Sequence, residues 1–269
     1  MKLTPKSDAP AIPRNAGRDG SPSRPRSPRR GAPTSAPLLA FGAHPDDIEF
    51  GAGGIVAREA RAGRPVHFVV CSRGEAGTNG TPAQRTAETR KAAHFLGATL
   101  EFVRLDGDAQ LEIRSAHSLT LARIIRRLRP AAVLAPSLAP NQHPDHWRLG
   151  QLVRDATRLA RYGGLKKLKH LPAHAIGQLF FYAVSPDAEP ADLQPVLFDI
   201  SAPEIVAAWT AAMEAHASQL QTRNYVELQL ARARVHGLRA GRAHAQPLWP
   251  NDPLVFGSFT AMTRAARRF

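Results

Sequence analysis

Two short clusters of histidine and aspartate, about a hundred positions apart, hold the residues of this chain best suited to chemistry. They are His44-Pro45-Asp46-Asp47 and His143-Pro144-Asp145-His146. Imidazole and carboxylate groups bind zinc and similar divalent ions, and they also act as general acids and bases. One such cluster alone is typical of a turn, because proline fixes its own φ and aspartate bonds nearby amides. The two clusters together favour one shared metal site.

Each cluster follows an apolar run that reads as a buried strand, residues 38–43 for the first and 131–136 for the second. In an α/β fold the carboxyl ends of parallel strands form one edge of the sheet, and ligands bind at that edge. We therefore expect the two clusters to meet there.

The order of elements along the chain predicts the sheet that would bring them together. Apolar strands alternate with helical stretches over the first two-thirds of the chain, the pattern of a parallel α/β sheet. The predicted strands are 38–43, 65–72, 98–104, 131–136, 176–184 and 196–200, and the predicted helices are 55–61, 82–97, 119–128, 147–161, 203–220 and 226–238. We expect an α/β, Rossmann-like, mostly parallel sheet with helices on both faces, in a single domain over residues 36–269.

The glycine group Gly51-Ala52-Gly53-Gly54 lies just after the first cluster. It matches neither the dinucleotide-binding nor the P-loop pattern, which argues against a nucleotide site. We expect these glycines to allow tight packing beside the metal loop.

Residues 1–35 differ in composition from the rest of the chain. They are rich in proline, arginine and serine and lack apolar periodicity, so we expect a disordered tail. The chain shows neither the apolar core of a secretory signal nor a membrane-spanning run, and we expect no membrane partner. Cys71 is the only cysteine and reads as a small buried apolar residue of a strand. These features predict a cytoplasmic protein.

The formal net charge of +14 raises the alternative of a nucleic-acid-binding protein. Residues 1–30 hold eight Lys or Arg against two Asp or Glu, and the remaining excess is spread along the chain. The basic residues are not interleaved with the aromatic side chains on which single strands stack. We therefore interpret most of this charge as a solvated basic surface and expect no nucleic-acid partner.

A catalytic zinc site needs three protein ligands and one open position for water. His44 and Asp47 can supply two ligands from one turn, and His146 can supply the third from the other loop. Asp46 is then a carboxylate beside the metal that is free to accept a proton from water. His143 can stabilise an oxyanion or protonate a leaving amine, and Asp145 can orient an imidazole through its ring N–H.

These residues resemble the PIG-L/LmbE-like family of zinc-dependent N-acetylglucosaminide deacetylases. Residues 43–49 resemble its A-H-P-D-D-x-E signature and residues 143–146 its H-P-D-H signature, while 73–77 are also similar. The resemblance covers roughly residues 37–260. It implies a Rossmann-like fold, a small-molecule N-acetylglucosaminide substrate and an oligomer. It also implies one Zn²⁺ per chain on His44, Asp47 and His146, with Asp46 as general base and His143 facing the tetrahedral intermediate.

Within that family the chain looks closest to the branch that deacetylates N-acetylglucosaminyl-malate in bacillithiol synthesis. Residues 168–176 and 224–227 carry this likeness, whereas 243–253 depart from it, which leaves the group attached to the sugar open. The likeness implies substrate contacts for Arg85 and Tyr225. Without it, Arg85 reads as a surface pair with Glu88, and Tyr225 as an aromatic residue packed at a helix rim.

A different metal chemistry fits some of the same residues. His44 and Asp46 with the distant His146 match the two-histidine, one-carboxylate triad of non-haem iron enzymes, so Fe²⁺ or another divalent metal is a second possibility. By analogy such triads commonly lie on all-β double sheets, and this chain alternates strands with helices.

Overall fold

The structure is a computed structural model that describes residues 35–140 and 143–261. These described residues form one compact unit. Apart from Ser35, the predicted disordered tail lies outside the described residues. The main elements are β1 (Leu38–Gly42), α1 (Asp47–Arg61), β2 (Val66–Val70), α2 (Pro82–Leu96), β3 (Ala98–Phe102), α3 (Ser115–Leu128), β4 (Ala132–Pro136), α4 (Pro144–Arg161), β5 (Gln178–Tyr182), β6 (Val196–Asp199), α5 (Pro203–Glu214), α6 (Tyr225–Arg239) and β7 (Ala245–Pro250).

The seven strands of the described region form a single sheet in the order β3-β2-β1-β4-β5-β7-β6. The first five strands in this order are parallel to one another, with Leu38 of β1 opposite Val66 of β2 and Ala132 of β4. From β1 the chain proceeds outward to β3 and then returns to place β4 on the other side of β1. Ligands of open α/β sheets bind at the carboxyl end of such a reversal point. Both Asp/His clusters follow these two strands.

Side chains that alternate along β1 enter two separate cores. Leu39 and Phe41 pack with residues of α3 and α4 on one face of the sheet. Leu38 and Ala40 pack on the other face with residues of α1, α2, α5 and α6. This two-faced burial confirms the predicted Rossmann-like fold class with helices on both faces. Among the described residues, no helix has the length and apolar character needed to cross a membrane.

The glycine group lies inside α1, so the prediction of a helix beginning at residue 55 is wrong at its start. A Cβ atom at Gly51 would overlap the Tyr182 ring, and one at Gly53 would lie 2.5 Å from Trp209 Cδ1. Close tertiary packing therefore compensates for the low helix propensity of glycine here. The expected role of these glycines in tight packing is confirmed.

Two other predictions also differ from the structure. α4 begins at Pro144 rather than 147, so the second cluster forms the first turn of a helix. β7 was not predicted, because Pro247 and Pro250 make its six-residue sequence a poor strand candidate. It is nevertheless an internal strand, antiparallel to both β5 and β6.

Candidate active site

The turn between β1 and α1 is folded around the carboxylate of Asp47. Asp47 Oδ2 accepts hydrogen bonds from the backbone N–H groups of Ala43 (2.7 Å) and His44 (3.0 Å). These two bonds hold the carboxylate in place, and Asp47 as a whole is 1% exposed. The other carboxylate oxygen, Oδ1, contacts the imidazoles of His44 and His146. The first cluster therefore has a rigid backbone support for at least one ligand.

Three side-chain atoms from the two clusters lie at nearly equal separations. Asp47 Oδ1 is 3.1 Å from His146 Nε2 and 3.6 Å from His44 Nδ1, and the two imidazole nitrogens are 3.3 Å apart. Ligand atoms about 2.0–2.1 Å from a tetrahedral zinc ion lie about 3.3–3.4 Å from one another. The donor set and its spacing fit a zinc-sized divalent cation.

The charges around these atoms also suit a cation. Burial alone raises the pKa of Asp47, but the facing His146 and His44 imidazoles outweigh burial and hold the pKa well below its usual range. Burial alone lowers the pKa of His44, while the nearby Asp47, Asp108 and Asp145 carboxylates reverse this and raise it well above its ordinary value. Acidic groups thus surround His44 and favour positive charge at this position.

The Asp46 carboxylate contacts Arg85. The φ of 109° and ψ of −26° at Asp46 lie in the left-handed region, which costs a non-glycine residue about 1–3 kcal/mol. Asp46 Oδ2 lies 3.3 Å from Arg85 Nη2. Burial, together with the charge of Asp47, raises the pKa of Asp46 to about 6 against the opposing charge of Arg85. The neighbouring aspartates therefore occupy different surroundings, as the assignment of separate roles requires.

Arg85 is buried under the metal loop, with its side chain 5% exposed. It donates to Pro45 O at 2.9 Å as well as to Asp46, so it supports the strained backbone there. The interpretation of Arg85 as a surface partner of Glu88 is wrong. Glu88 instead accepts hydrogen bonds from the N–H and hydroxyl of Ser218. A substrate contact for Arg85 stays a prediction.

The far side of the His44 ring faces two carboxylates. Nε2 lies 3.3 Å from Asp145 Oδ2, which places Asp145 beside an imidazole as the sequence predicts. The same Nε2 lies 3.1 Å from Asp108 Oδ1, a residue absent from the predicted site. Asp108 follows β3 at the same edge of the sheet, and that position is the signal that could have identified it. Ala76 N–H donates to its other oxygen and holds it in place.

His143 is the N-cap residue of α4, and its Nδ1 accepts a hydrogen bond from Asp145 N–H. Its ring centroid lies 4.2 Å from that of His44 and 5.3 Å from that of His146. The side chain is 33% exposed, compared with 6% for His44. Burial lowers the pKa of His143, and the positive charges of His44 and His146 lower it further. His143 is therefore an accessible imidazole at the rim of the cluster.

Tyr225 begins α6 and packs against Phe50 of α1, with 5.6 Å between ring centroids. The Arg223 guanidinium lies over its other face. This packing matches the interpretation of Tyr225 as an aromatic residue at a helix rim, and a substrate contact for Tyr225 stays a prediction.

The sequence analysis also missed a buried acid–imidazole pair. Glu49 Oε1 lies 3.2 Å from His216 Nε2 beneath the loop between β1 and α1.

Comparisons with known proteins agree with this geometry. The family model "PIG-L: GlcNAc-PI de-N-acetylase" matches residues 39–157, which contain both clusters. The chain is 32% identical to a 4-oxalmesaconate hydratase of Pseudomonas putida over 140 residues, 48% of this chain and 54% of that protein. It is 39% identical to the uncharacterized deacetylase YaiS of Escherichia coli over 127 residues, 45% of this chain and 68% of that protein.

A solved structure extends the likeness to nearly all of the described domain. The conserved protein TT1542 of Thermus thermophilus superposes with a TM-score of 0.73 at 31% identity. The match covers 85% of this chain and 99% of that chain. With the first curated relative, by contrast, this chain shares about half of that protein's length.

Proposed function

The chain belongs to the PIG-L family, and from that membership we propose that it is a metal-dependent hydrolase that removes the N-acetyl group from an N-acetylglucosamine-containing small molecule. The observation that carries the proposal is the arrangement of His44 Nδ1, Asp47 Oδ1 and His146 Nε2, 3.1–3.6 Å apart at the reversal point of the sheet.

His44, Asp47 and His146 would hold the metal. When bound, a zinc ion would lower the pKa of water and polarise the acetyl carbonyl. A structural site would normally be closed by a fourth protein ligand, whereas an open position is needed for catalysis. The partly exposed His143 beside the cluster marks the side from which a substrate can enter. Two nitrogen ligands and one oxygen ligand are typical of catalytic zinc sites. Fe²⁺ binds the same combination of ligands and is the second candidate metal.

Asp46 would accept the proton of the attacking water. A base works best when its pKa lies near the working pH, and the raised pKa of about 6 suits that task. Arg85 would keep the Asp46 carboxylate in one orientation through the 3.3 Å contact and through Pro45 O. His143 would face the developing negative charge on the acetyl oxygen and supply a proton to the leaving amine.

His44 would be held in one orientation and tautomer by the carboxylates behind it. With Nδ1 toward the metal, Nε2 carries the proton and donates to Asp145 or Asp108. Carboxylates behind a ligating histidine raise its basicity and fix its ring. This arrangement assigns Asp145 and Asp108 positioning roles.

The substrate within this class is a finer proposal. Residues 168–176 and 224–227 resemble the branch that acts on N-acetylglucosaminyl-malate, which supports that compound as the first to test. Arg85 and Tyr225 are the proposed substrate contacts on the same basis. Cytoplasmic location and assembly into a homo-oligomer stay predictions from the sequence.

A hydratase is the second candidate, because of the 32% identity to 4-oxalmesaconate hydratase over 140 residues. The same metal and base could activate water for addition to a carbon–carbon double bond. The iron triad is less well supported, since Asp47 rather than Asp46 faces the two imidazoles.

The test combines elemental analysis with two assays on the purified full chain. We expect about one zinc per chain, and acetate release from one or more members of a panel of N-acetylglucosaminides. Loss of the ultraviolet absorbance of unsaturated di- and tricarboxylic acids, without acetate release from any panel member, would replace the deacetylase proposal with the hydratase.

A further inference from the structure

A cavity of about 370 Å³ opens at the carboxyl ends of β2 and β3, beside the metal loop. Its walls include Ser72, Arg73, Glu75, Phe102, Val103 and Arg104. Small-molecule sites are typically clefts of about 300–1,000 Å³, mostly apolar and with a few polar groups that fix orientation. The cavity has that size and that mixture of side chains.

One hydrogen bond joins the wall of this cavity to the metal loop, and a second joins the loop after β2 to Asp108. Ser72 Oγ donates to the carbonyl of Ala43, the residue before His44, at 2.8 Å. On the other side, Ala76 N–H donates to Asp108, whose second oxygen faces His44. The cavity and the candidate active site are therefore neighbouring parts of one sheet edge. A substrate whose acetyl group reaches the cluster can extend another part into the cavity.

The charged side chains of the cavity give it a positive character. Arg73 and Arg104 are both exposed, and within residues 35–140 and 143–261 no carboxylate lies at ion-pair distance from either guanidinium. Glu75 is the one acidic residue of the wall, and its Oε2 accepts a hydrogen bond from Arg73 N–H at 3.0 Å. The wall thus carries two guanidinium groups and one carboxylate, and this balance favours an anionic ligand.

We propose that this cavity binds a carboxylate-bearing substituent of the substrate through Arg73 and Arg104. Guanidinium groups bind carboxylates through paired, charge-assisted hydrogen bonds. Glu75 on the same wall repels the double charge concentrated on one phosphate group more strongly than the single charge of each carboxylate group, so the carboxylate is the favoured anionic group. The assignment to a substrate rests on the proposed function, whereas binding of a carboxylate by the cavity does not.

A remote binding group of this kind acts on substrate affinity. Because it is bound equally in the ground state and the transition state, its loss raises KM and leaves kcat unchanged. The contacts are solvent-exposed, so we expect an effect of about tenfold rather than a loss of activity. A higher KM with an unchanged kcat would indicate a substrate subsite, whereas a merely structural role of the two arginines does not predict this pattern.

The kinetic test uses N-acetylglucosaminyl-malate and the same compound with both carboxylates methylated. The wild-type chain should show a KM about tenfold lower for the acid than for the diester. The double variant Arg73→Gln/Arg104→Gln should raise KM for the acid to that of the diester, with kcat unchanged for both. Arg90→Gln, on the exposed face of α2 and outside the cavity, is the matched control and should change neither value.

A binding test separates failure of the subsite from failure of the proposed function. Calorimetric titration with succinate should detect binding to the wild type and none to the double variant, and inorganic phosphate should bind more weakly than succinate. An unchanged KM ratio in the double variant, equal succinate binding by both proteins, or tighter binding of phosphate would overturn the proposal. If neither sugar substrate releases acetate, the deacetylase proposal fails. The succinate titration then still shows whether the cavity binds a carboxylate.

Discussion

His44 Nδ1 and His146 Nε2 point at each other across 3.3 Å, although 102 positions separate the two residues in the chain. Two ring nitrogens at this separation need either a shared proton or a cation between them. Asp47 Oδ1 lies 3.1 Å from His146 and supplies negative charge at the same point. Together with Asp47 Oδ1, these two nitrogens form the ligand set that we propose for the metal.

His44→Ala and His146→Ala should each abolish tight zinc binding, because two ligands do not hold the ion in a three-ligand open site. Elemental analysis of the purified, folded variants measures this directly. His143→Ala is the matched control and should keep its zinc, since its imidazole borders the cluster and is not one of the three ligands that we propose. Near-stoichiometric zinc in either ligand variant would contradict the assignment.

Arg126 should be important for stability and not for catalysis. Its buried guanidinium donates to Ala160 O at 2.9 Å, Leu168 O at 2.8 Å and Tyr162 O at 2.6 Å. Arg126→Met leaves these carbonyls without that donor, and we expect a loss of about 3–5 kcal/mol in the free energy of unfolding.

Urea denaturation measures the effect of Arg126→Met. The control is Arg127→Met, whose side chain is 50% exposed and should change stability by less than about 1 kcal/mol. Equal stability of the two variants would mean that the buried hydrogen bonds contribute little.

Gly51→Ala should destabilise the fold, although alanine is the better helix former. The new methyl group would overlap the Tyr182 ring, and overpacking of this kind costs about 1–3 kcal/mol. Gly164→Ala is the control, because nothing lies within 4 Å of a Cβ at that position. Thermal unfolding should show a lower Tm for the first variant alone. A Tm for Gly51→Ala at or above the wild-type value would refute this packing role.

Glu189 should make stability depend on pH in the acidic range. Its Oε1 lies 2.6 Å from Arg232 Nε and 3.0 Å from His236 Nε2. Burial alone raises the pKa of Glu189, but His236 and Arg232 outweigh it and hold the pKa below its ordinary value of 4.5. The stabilisation is therefore complete above pH 4.5 and is lost as the pH falls through the lowered pKa.

Urea denaturation at a series of pH values tests Glu189→Gln. The variant should be less stable than the wild type at pH 7, and the difference should shrink below about pH 4. Glu112→Gln is the control, since its carboxylate is 64% exposed. A difference that is constant over pH would show that the ionised carboxylate is not what stabilises this contact.

Sequence patterns predicted the sheet and the meeting of the two clusters, because strand ends and their chemistry are local features. They missed Asp108, whose contact with His44 depends on where the loop after β3 folds back. They also missed β7, since Pro247 and Pro250 hide a strand that only its neighbours stabilise. The start of α1 was misplaced for a related reason, as Tyr182 and Trp209 fill the space beside its glycines.

The different surroundings of Asp46 and Asp47 give the most direct test of the account. Asparagine at position 47 keeps an oxygen for the Ala43 and His44 N–H groups and loses the negative charge on Oδ1. Asparagine at position 46 keeps its shape beside Arg85 and loses the proton acceptor. The pair of variants therefore separates metal binding from base catalysis at neighbouring positions.

The deciding measurement is the zinc content of Asp46→Asn and Asp47→Asn, determined alongside kcat for acetate release. Asp46→Asn should keep its zinc while kcat falls by about 10²–10⁴, the usual contribution of a positioned general base. Asp47→Asn should lose zinc first and regain part of its activity when zinc is added. Zinc lost from Asp46→Asn but kept in Asp47→Asn would contradict the account and favour the His44–Asp46–His146 triad instead.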